Sequence, residues 1–200
     1  MEQSETFIFF GRSGSGKGTQ ARLLMKYLQE RTARKVLYVE TGARFREFMK
    51  ESGFTNRLTK ETIEKGELLP EFLPIWTWAD YLIKNFTGEE HLVLDGFARH
   101  IDESHVLDSA LRFYKREHPV ILYLDVPREY AFALMKGRGR KDDTDAYINK
   151  RLDWFEKEVI PVIDHFKQNP NYVFIEIAGK QDVEDVHQEI IRKITEKMTR

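Results

Sequence analysis

The chain has 200 residues, 41% of them hydrophobic and 32% charged, with a formal net charge of −1. That length suits a single domain with small inserts and a real core. The charge balance lacks the basic excess of a nucleic-acid binder, no apolar run approaches the ~18 residues of a membrane span, and without cysteine there are no disulfides and no thiolate-ligated zinc.

The opening residues, MEQSETFIFFG, run from acidic-polar into a short strand and do not resemble a secretion signal, so a cytoplasmic location is expected. "TFIFF" (6–10) predicts the first strand. "GRSGSG" is too glycine-rich for helix, and "KGTQARLLMKYLQER" predicts a helix with Ala21, Leu24 and Leu28 on one face. Strand, glycine loop and helix in that order are the context of a phosphate loop, G-x-x-x-x-G-K followed by Ser or Thr. Gly11, Gly16 and Lys17 fit it, but Gly18 sits where the hydroxyl belongs and Thr19 comes one place late. The chemistry is specific. Glycines let the backbone of Gly14, Ser15, Gly16 and Gly18 turn its N–H groups toward an anion, the helix start adds positive charge, Lys17 reaches terminal phosphates, and a hydroxyl joins a magnesium shell. A plain glycine turn is the alternative, and its chance match is rare.

Four more strands follow: "VLYVE" (36–40), "HLVLD" (91–95), "VILYLDV" (120–126) and "YVFIEIA" (172–178). Between them, Phe72, Ile75, Ala79, Leu82 and Phe86 recur at helical spacing. So do Ile148, Leu152, Phe155, Val159, Ile163 and Phe166, then Val183, Val186, Ile190, Ile194 and Met198. Strands that are apolar without alternation, separated by helices, predict an α/β fold with a five-stranded parallel sheet covered on both faces. Ligands of such sheets collect at the carboxyl ends of strands, where Gly11, Thr41, Asp95 and Val126 fall. The apolar stripes, with Trp76, Trp78 and Trp154, read as core. The six histidines show no ligand spacing and read as surface or structural residues.

"GRSGSGKGTQ" resembles the loop of adenylate kinases and related nucleoside monophosphate kinases, which ends in K-G-T-Q; the late Thr19 is the family form. Four further segments carry the likeness in order. "VETGARFREFM" resembles S-T-G-D-x-x-R, "IEKGELLPEFL" resembles G-x-L-V-P-D, "LVLDGFARHIDES" resembles L-D-G-F-P-R-x-x-x-Q, and "GRGRKDDTDAYINKRL" resembles the lid and the R-x-D-D-x8-R-L stretch behind it. Together they span residues 7 to about 181. The resemblance implies a P-loop three-layer α/β/α fold, one domain over 1–200, with a helical monophosphate-binding insert at 41–70 and a short lid at 137–142. Only Gly139 separates Arg138 from Arg140, so no zinc-binding or hairpin lid fits.

The resemblance also implies roles. Lys17 and the loop from Gly14 to Thr19 hold the donor phosphates, with Arg138 on the donor side and Gln181 beside the donor base. Thr41 contacts the acceptor base, Glu67, Leu68 and Leu69 pass along base and ribose, and Gly96, Phe97, Ala98 and Arg99 form the turn after strand three. Arg46, Arg99, Arg140 and Arg151 hold the acceptor phosphate. Thr19 and, through water, Asp95 serve Mg2+. The catalytic set is then Lys17, Asp95, Arg99, Arg138, Arg140 and Arg151. Asp142 and Asp143 orient the arginines or contact ribose. Phosphoryl transfer asks for alignment and neutralised charge, which converging guanidiniums supply.

The chain departs from the family pattern at several places. Ser13 and Ala98 replace prolines, Leu134 stands where an arginine covers the donor base, and Ala43 replaces the aspartate of T-G-D, leaving Asp95 more of the magnesium task. Glu103 stands at the glutamine that reads the acceptor base. A glutamate only accepts, which suits guanine's two donors, whereas Thr41 is the adenine-directed residue. AMP is expected ahead of GMP. The expected activity is Mg2+-dependent transfer from ATP to AMP giving two ADP, in a monomer with small-molecule partners and neither nucleic acid nor membrane. A kinase of another monophosphate and a catalytically weak nucleotide-binding regulator are the alternatives, the second motivated by Ala43, Leu134 and Glu103.

Overall fold

A computed structural model describes residues 4–139 and 143–198. Five parallel strands, β1 (Thr6–Phe10), β2 (Val36–Glu40), β3 (His91–Asp95), β4 (Val120–Asp125) and β5 (Val173–Ala178), form one sheet in the order β2-β3-β1-β4-β5. The five apolar runs mark them to within a residue. The last two are shorter by one: β4 stops before Val126, and β5 begins after Tyr172.

Side chains alternate across each strand, and β1 illustrates the result. Ile8 and Phe10 face a core with Trp78, Leu82, Phe97, Leu107 and Phe166. Phe7 and Phe9 face a second core with Ala21, Leu24, Leu28, Val186 and Ile190. The first core lies under α4 (Phe72–Asn85), α5 (Ile101–Phe113) and α8 (Ile160–Gln168), the second under α1 (Lys17–Arg31) and α9 (Val183–Met198). These are the three layers expected. Among the described residues, no helix is long and apolar enough to cross a membrane.

Residues 41–70 fold as α2 (Thr41–Phe48), α3 (Phe54–Glu64) and a connecting loop. Phe45 and Leu69 gather there with Leu73, Phe48 and Ile63 in a small cluster of their own. A further cluster joins α6 (Arg128–Gly137) to α7 (Asp145–Trp154) through Ala131, Met135, Ile148 and Leu152.

One residue of the helix readings is corrected. Of the stripe expected around α4, Leu82 is buried and Ile75, Ala79 and Phe86 pack against the first core, but Phe72 is 63% exposed, and Leu73, Pro74, Thr77 and Trp78 are buried instead. α7 and α8 continue one another, as their single apolar stripe predicts, with Ile148, Leu152, Phe155, Val159, Ile163 and Phe166 all buried. They meet in a wide turn at Phe155–Val159, where the Ile160 N–H donates to Phe155 O five residues back. Pro161 supplies the reason, because it has no N–H to give and its ring crowds the carbonyl four residues earlier.

Candidate active site

The strand ends Glu40 and Asp95 border one crevice with the loop from Ser13 onward. The chain leaves β1 through a loop that ends at Gly16, the residue before α1. Gly11 and Gly14 have φ of 146° and 82°, and a Cβ on either would stand 2.7 Å from a carbonyl oxygen, that of Leu124 or Ala131. Glycine is therefore required at both. The first amides of α1, on Lys17 and Gly18, have no acceptor within the helix and carry its positive end. Lys17 lies over the loop, its Nζ donating to the carbonyl oxygens of Gly11 (2.7 Å) and Arg12 (2.9 Å). Burial disfavours its ammonium. Asp95 opposes that effect while Arg99 and Arg138 add to it, and the pKa falls to about 8.

Asp95 ends β3 and is 7% exposed. Its partner across the sheet is Glu40, the last residue of β2. The Tyr38 hydroxyl lies 3.4 Å from a carboxylate oxygen of each and has one proton to donate between them. Burial raises the Asp95 pKa; Lys17 lowers it and Glu40 raises it further.

Arginines enter from three directions. Arg46, on α2, donates from Nη2 to Glu40 Oε1 at 2.8 Å. Arg99, in the turn after β3, lies 5.7 Å from the Trp154 ring centroid. Gly96 leaves it room, since a Cβ there would come within 2.9 Å of Arg99 Nη2. Arg138 grips Asp143 in a fork, Nε to Oδ2 at 2.5 Å and Nη2 to Oδ1 at 2.9 Å, and Arg151 Nη1 donates to the same Oδ1 at 3.1 Å. The Asp143 side chain is 1% exposed. One buried carboxylate thus orients two guanidiniums, the first of the two roles expected for it.

Two cavities open from this crevice. The first, of about 560 Å3, runs along Gly14 to Thr19 toward Tyr130, Leu134, Gln181 and Val183. The second, of about 490 Å3, runs between Thr41, Phe45, residues 66–69 and Trp154. Ser13, Gly42, Arg46, Arg99 and Arg138 line both. Three arginines therefore stand where the cavities meet, so two anions can be held end to end across that junction.

Residues 9–171 match the family described as adenylate kinase. The chain belongs to the adenylate kinase family. It is 31% identical over 183 residues to an adenylate kinase of one Prochlorococcus marinus strain, covering 92% of this chain and 94% of that one. It is 28% identical over 183 residues to adenylate kinase 1 of a Nostoc species, covering 92% and 95%. An adenylate kinase of Clostridium botulinum is 28% identical, covering 90% and 93%.

In this family member, Gly14, Ser15, Gly16, Lys17, Gly18, Thr19, Asp95, Arg138 and Gln181 line the first cavity. Thr41, Arg46, Glu67, Leu68, Leu69, Arg99 and Arg151 line the second. Gln181 already spends its amide on Ala178 O and Glu189 Oε2. Arg140 and Asp142 lie outside the described residues.

Four residues expected at the acceptor do not line the second cavity. Gly96 lines the first cavity and not the second. Phe97 and Ala98 are buried in the core, Phe97 with its ring 5.5 Å from that of Trp78, and border neither cavity. Glu103 is 0% exposed. It takes the Trp78 indole N–H on Oε1 (3.2 Å) and the Arg99 backbone N–H on Oε2 (2.8 Å), and burial raises its pKa. Its carboxylate braces the Arg99 turn and is closed off from both cavities.

Other residues at the site escaped the sequence reading. Glu40 and Tyr38 were passed over as strand residues, although Glu40 directly precedes Thr41 at a strand end. Trp154 and His100, read as structural, line the second cavity, and Tyr130 stands one turn from Leu134 in the first. Trp76, read as core, is 47% exposed against Phe48.

The donor set suits a hydrated magnesium ion. Asp95, Glu40 and the Thr19 hydroxyl present hard oxygens on one cavity. Gly18 keeps the space clear, because a Cβ there would already touch Asp95 Oδ2 at 3.6 Å. Among the described residues no group of three His, Cys, Asp or Glu is placed to hold a metal ion.

Proposed function

We propose that this protein catalyses reversible, Mg2+-dependent transfer of the γ-phosphoryl group of ATP to AMP, giving two ADP. The supporting observation is the junction lined by Arg46, Arg99 and Arg138 between a phosphate-loop cavity and a second cavity of nucleotide size. Lys17 and the α1 amides hold the β- and γ-phosphates of ATP. Arg46, Arg99 and Arg151 hold the AMP phosphate, and one of its oxygens attacks the γ-phosphorus as the bond to the β–γ bridging oxygen breaks. Asp143 fixes Arg138 and Arg151 so that their positive charge is in place before that charge migrates. Thr19 and, through water, Asp95 would hold Mg2+, which would supply neutralising charge to the donor phosphates. Thr41 and the chain at Glu67 to Leu69 border the acceptor base.

A coupled assay with ATP, Mg2+ and each of AMP, GMP, CMP and UMP tests the reading. AMP is the expected acceptor. No turnover with any of the four, in protein with a cooperative melt, would overturn the enzyme assignment, and preference for GMP would overturn the acceptor alone.

A further inference from the structure

We infer that Glu40 competes with the acceptor phosphate for Arg46, which makes it an internal counter-ligand that keeps acceptor binding weak. This rests on the function proposed above. A carboxylate and a phosphate take the same guanidinium fork, and Glu40 Oε1 already holds Arg46 Nη2 at 2.8 Å. The two side chains meet beside Gly42, where a Cβ would stand 3.4 Å from Arg46 Nη1 and 3.7 Å from Glu40 Oε1. Arg46 lines both cavities, whereas Glu40 lines only that of the phosphate loop. The ion pair therefore draws the guanidinium toward the donor side of the junction, and an acceptor phosphate must draw it back.

The charge count points the same way. Glu40 sits opposite Asp95 in the parallel register, so Arg46 balances one of two adjacent carboxylates. Binding that is weaker in the ground state leaves more of the arginine's attraction to appear at the transition state.

The experiment measures AMP binding to the full chain by tryptophan fluorescence, without ATP or Mg2+, using Trp154 at the acceptor cavity as reporter. The pair is partly exposed, 44% for Arg46 and 27% for Glu40, so its loss is worth a modest factor. Glu40→Gln, which is isosteric, should tighten AMP binding about 2- to 5-fold. Glu40→Ala should do at least as much, and melting curves confirm that both variants fold. In an Arg46→Gln background, which itself weakens AMP binding, the Glu40→Gln gain should vanish. Unchanged or weaker AMP binding in both Glu40 variants overturns the inference while leaving the proposed function intact, and so does a gain that persists without Arg46. If Arg46→Gln alone leaves AMP affinity unchanged, Arg46 does not hold the acceptor, and both the inference and that part of the proposed function fall.

Discussion

Lys17 gives the sharpest test, because its folding and its function pull in opposite directions. Burial lowers its pKa from 10.5 to about 8, and each unit corresponds to ~1.4 kcal/mol. Folding therefore loses up to ~3 kcal/mol by keeping the side chain charged. The unfolded chain binds this proton more tightly than the folded one, so the penalty is complete below pH 8. It shrinks as pH rises and is gone above 10.5. Against it stand two hydrogen bonds to carbonyl oxygens, together worth ~1–3 kcal/mol. Lys17→Met should accordingly leave the melting temperature at pH 7 unchanged or raise it by a few degrees, at ~2–4 °C per kcal/mol for this size. The same change removes the charge facing the donor phosphates and should lower kcat/KM for phosphoryl transfer by ~10²–10³ or more. A thermal melt and a coupled ADP-forming assay on one preparation read both quantities. A melting temperature several degrees lower, or activity retained within tenfold, would refute the reasoning. The first outcome would make Lys17 a structural clamp on the loop, and the second would separate the loop from catalysis.

Three further outcomes are expected. Asp143→Asn removes the charge that orients Arg138 and Arg151; kcat should fall about 100-fold with a smaller change in the KM for AMP, and a change under threefold would count against convergent orientation. Glu103→Gln should shift the AMP-to-GMP preference by less than about twofold, roughly 0.4 kcal/mol, because this fully buried side chain braces the Arg99 turn; a larger shift in steady-state assays would return it to the base site. His91, fully buried, accepts the Glu5 backbone N–H on Nδ1 and lies 3.1 Å from the Thr32 hydroxyl. Burial, with Arg116 adding to it, lowers its pKa to about 4. The unfolded chain takes up this proton first as pH falls, so the stability from keeping His91 neutral is full above pH 6.5 and is lost progressively toward pH 4, ~3 kcal/mol in all. Urea unfolding at several pH values should show that slope, and His91→Gln should flatten it.

Much was legible in order along the chain, because the signals are local. A strand buried on both faces is an apolar run wherever it lies, which is why "TFIFF" and "HLVLD" could be bounded to the residue. The phosphate loop declares itself because Gly11 and Gly14 answer a backbone requirement. Lys17, Thr41, Arg46, Asp95, Arg99, Arg138 and Arg151 each sit in a short ordered motif, and each lines at least one of the two cavities. Direction was not legible. Which face of α4 is buried depends on what packs against it, so Phe72 was read inward and is exposed.

By itself, then, the sequence determined the strand order along the chain, the glycine loop and the chemical identity of the charged residues, since these follow from backbone geometry and side-chain type. Only the tertiary structure decided which charges meet. Parallel pairing sets Glu40 beside Asp95 across residues 55 apart in the chain, and one buried carboxylate at Asp143 collects two arginines. Burial set the Glu103 carboxylate against the Arg99 turn, and electrostatic strength depends on distance and burial, neither of which is written in a string of residue names.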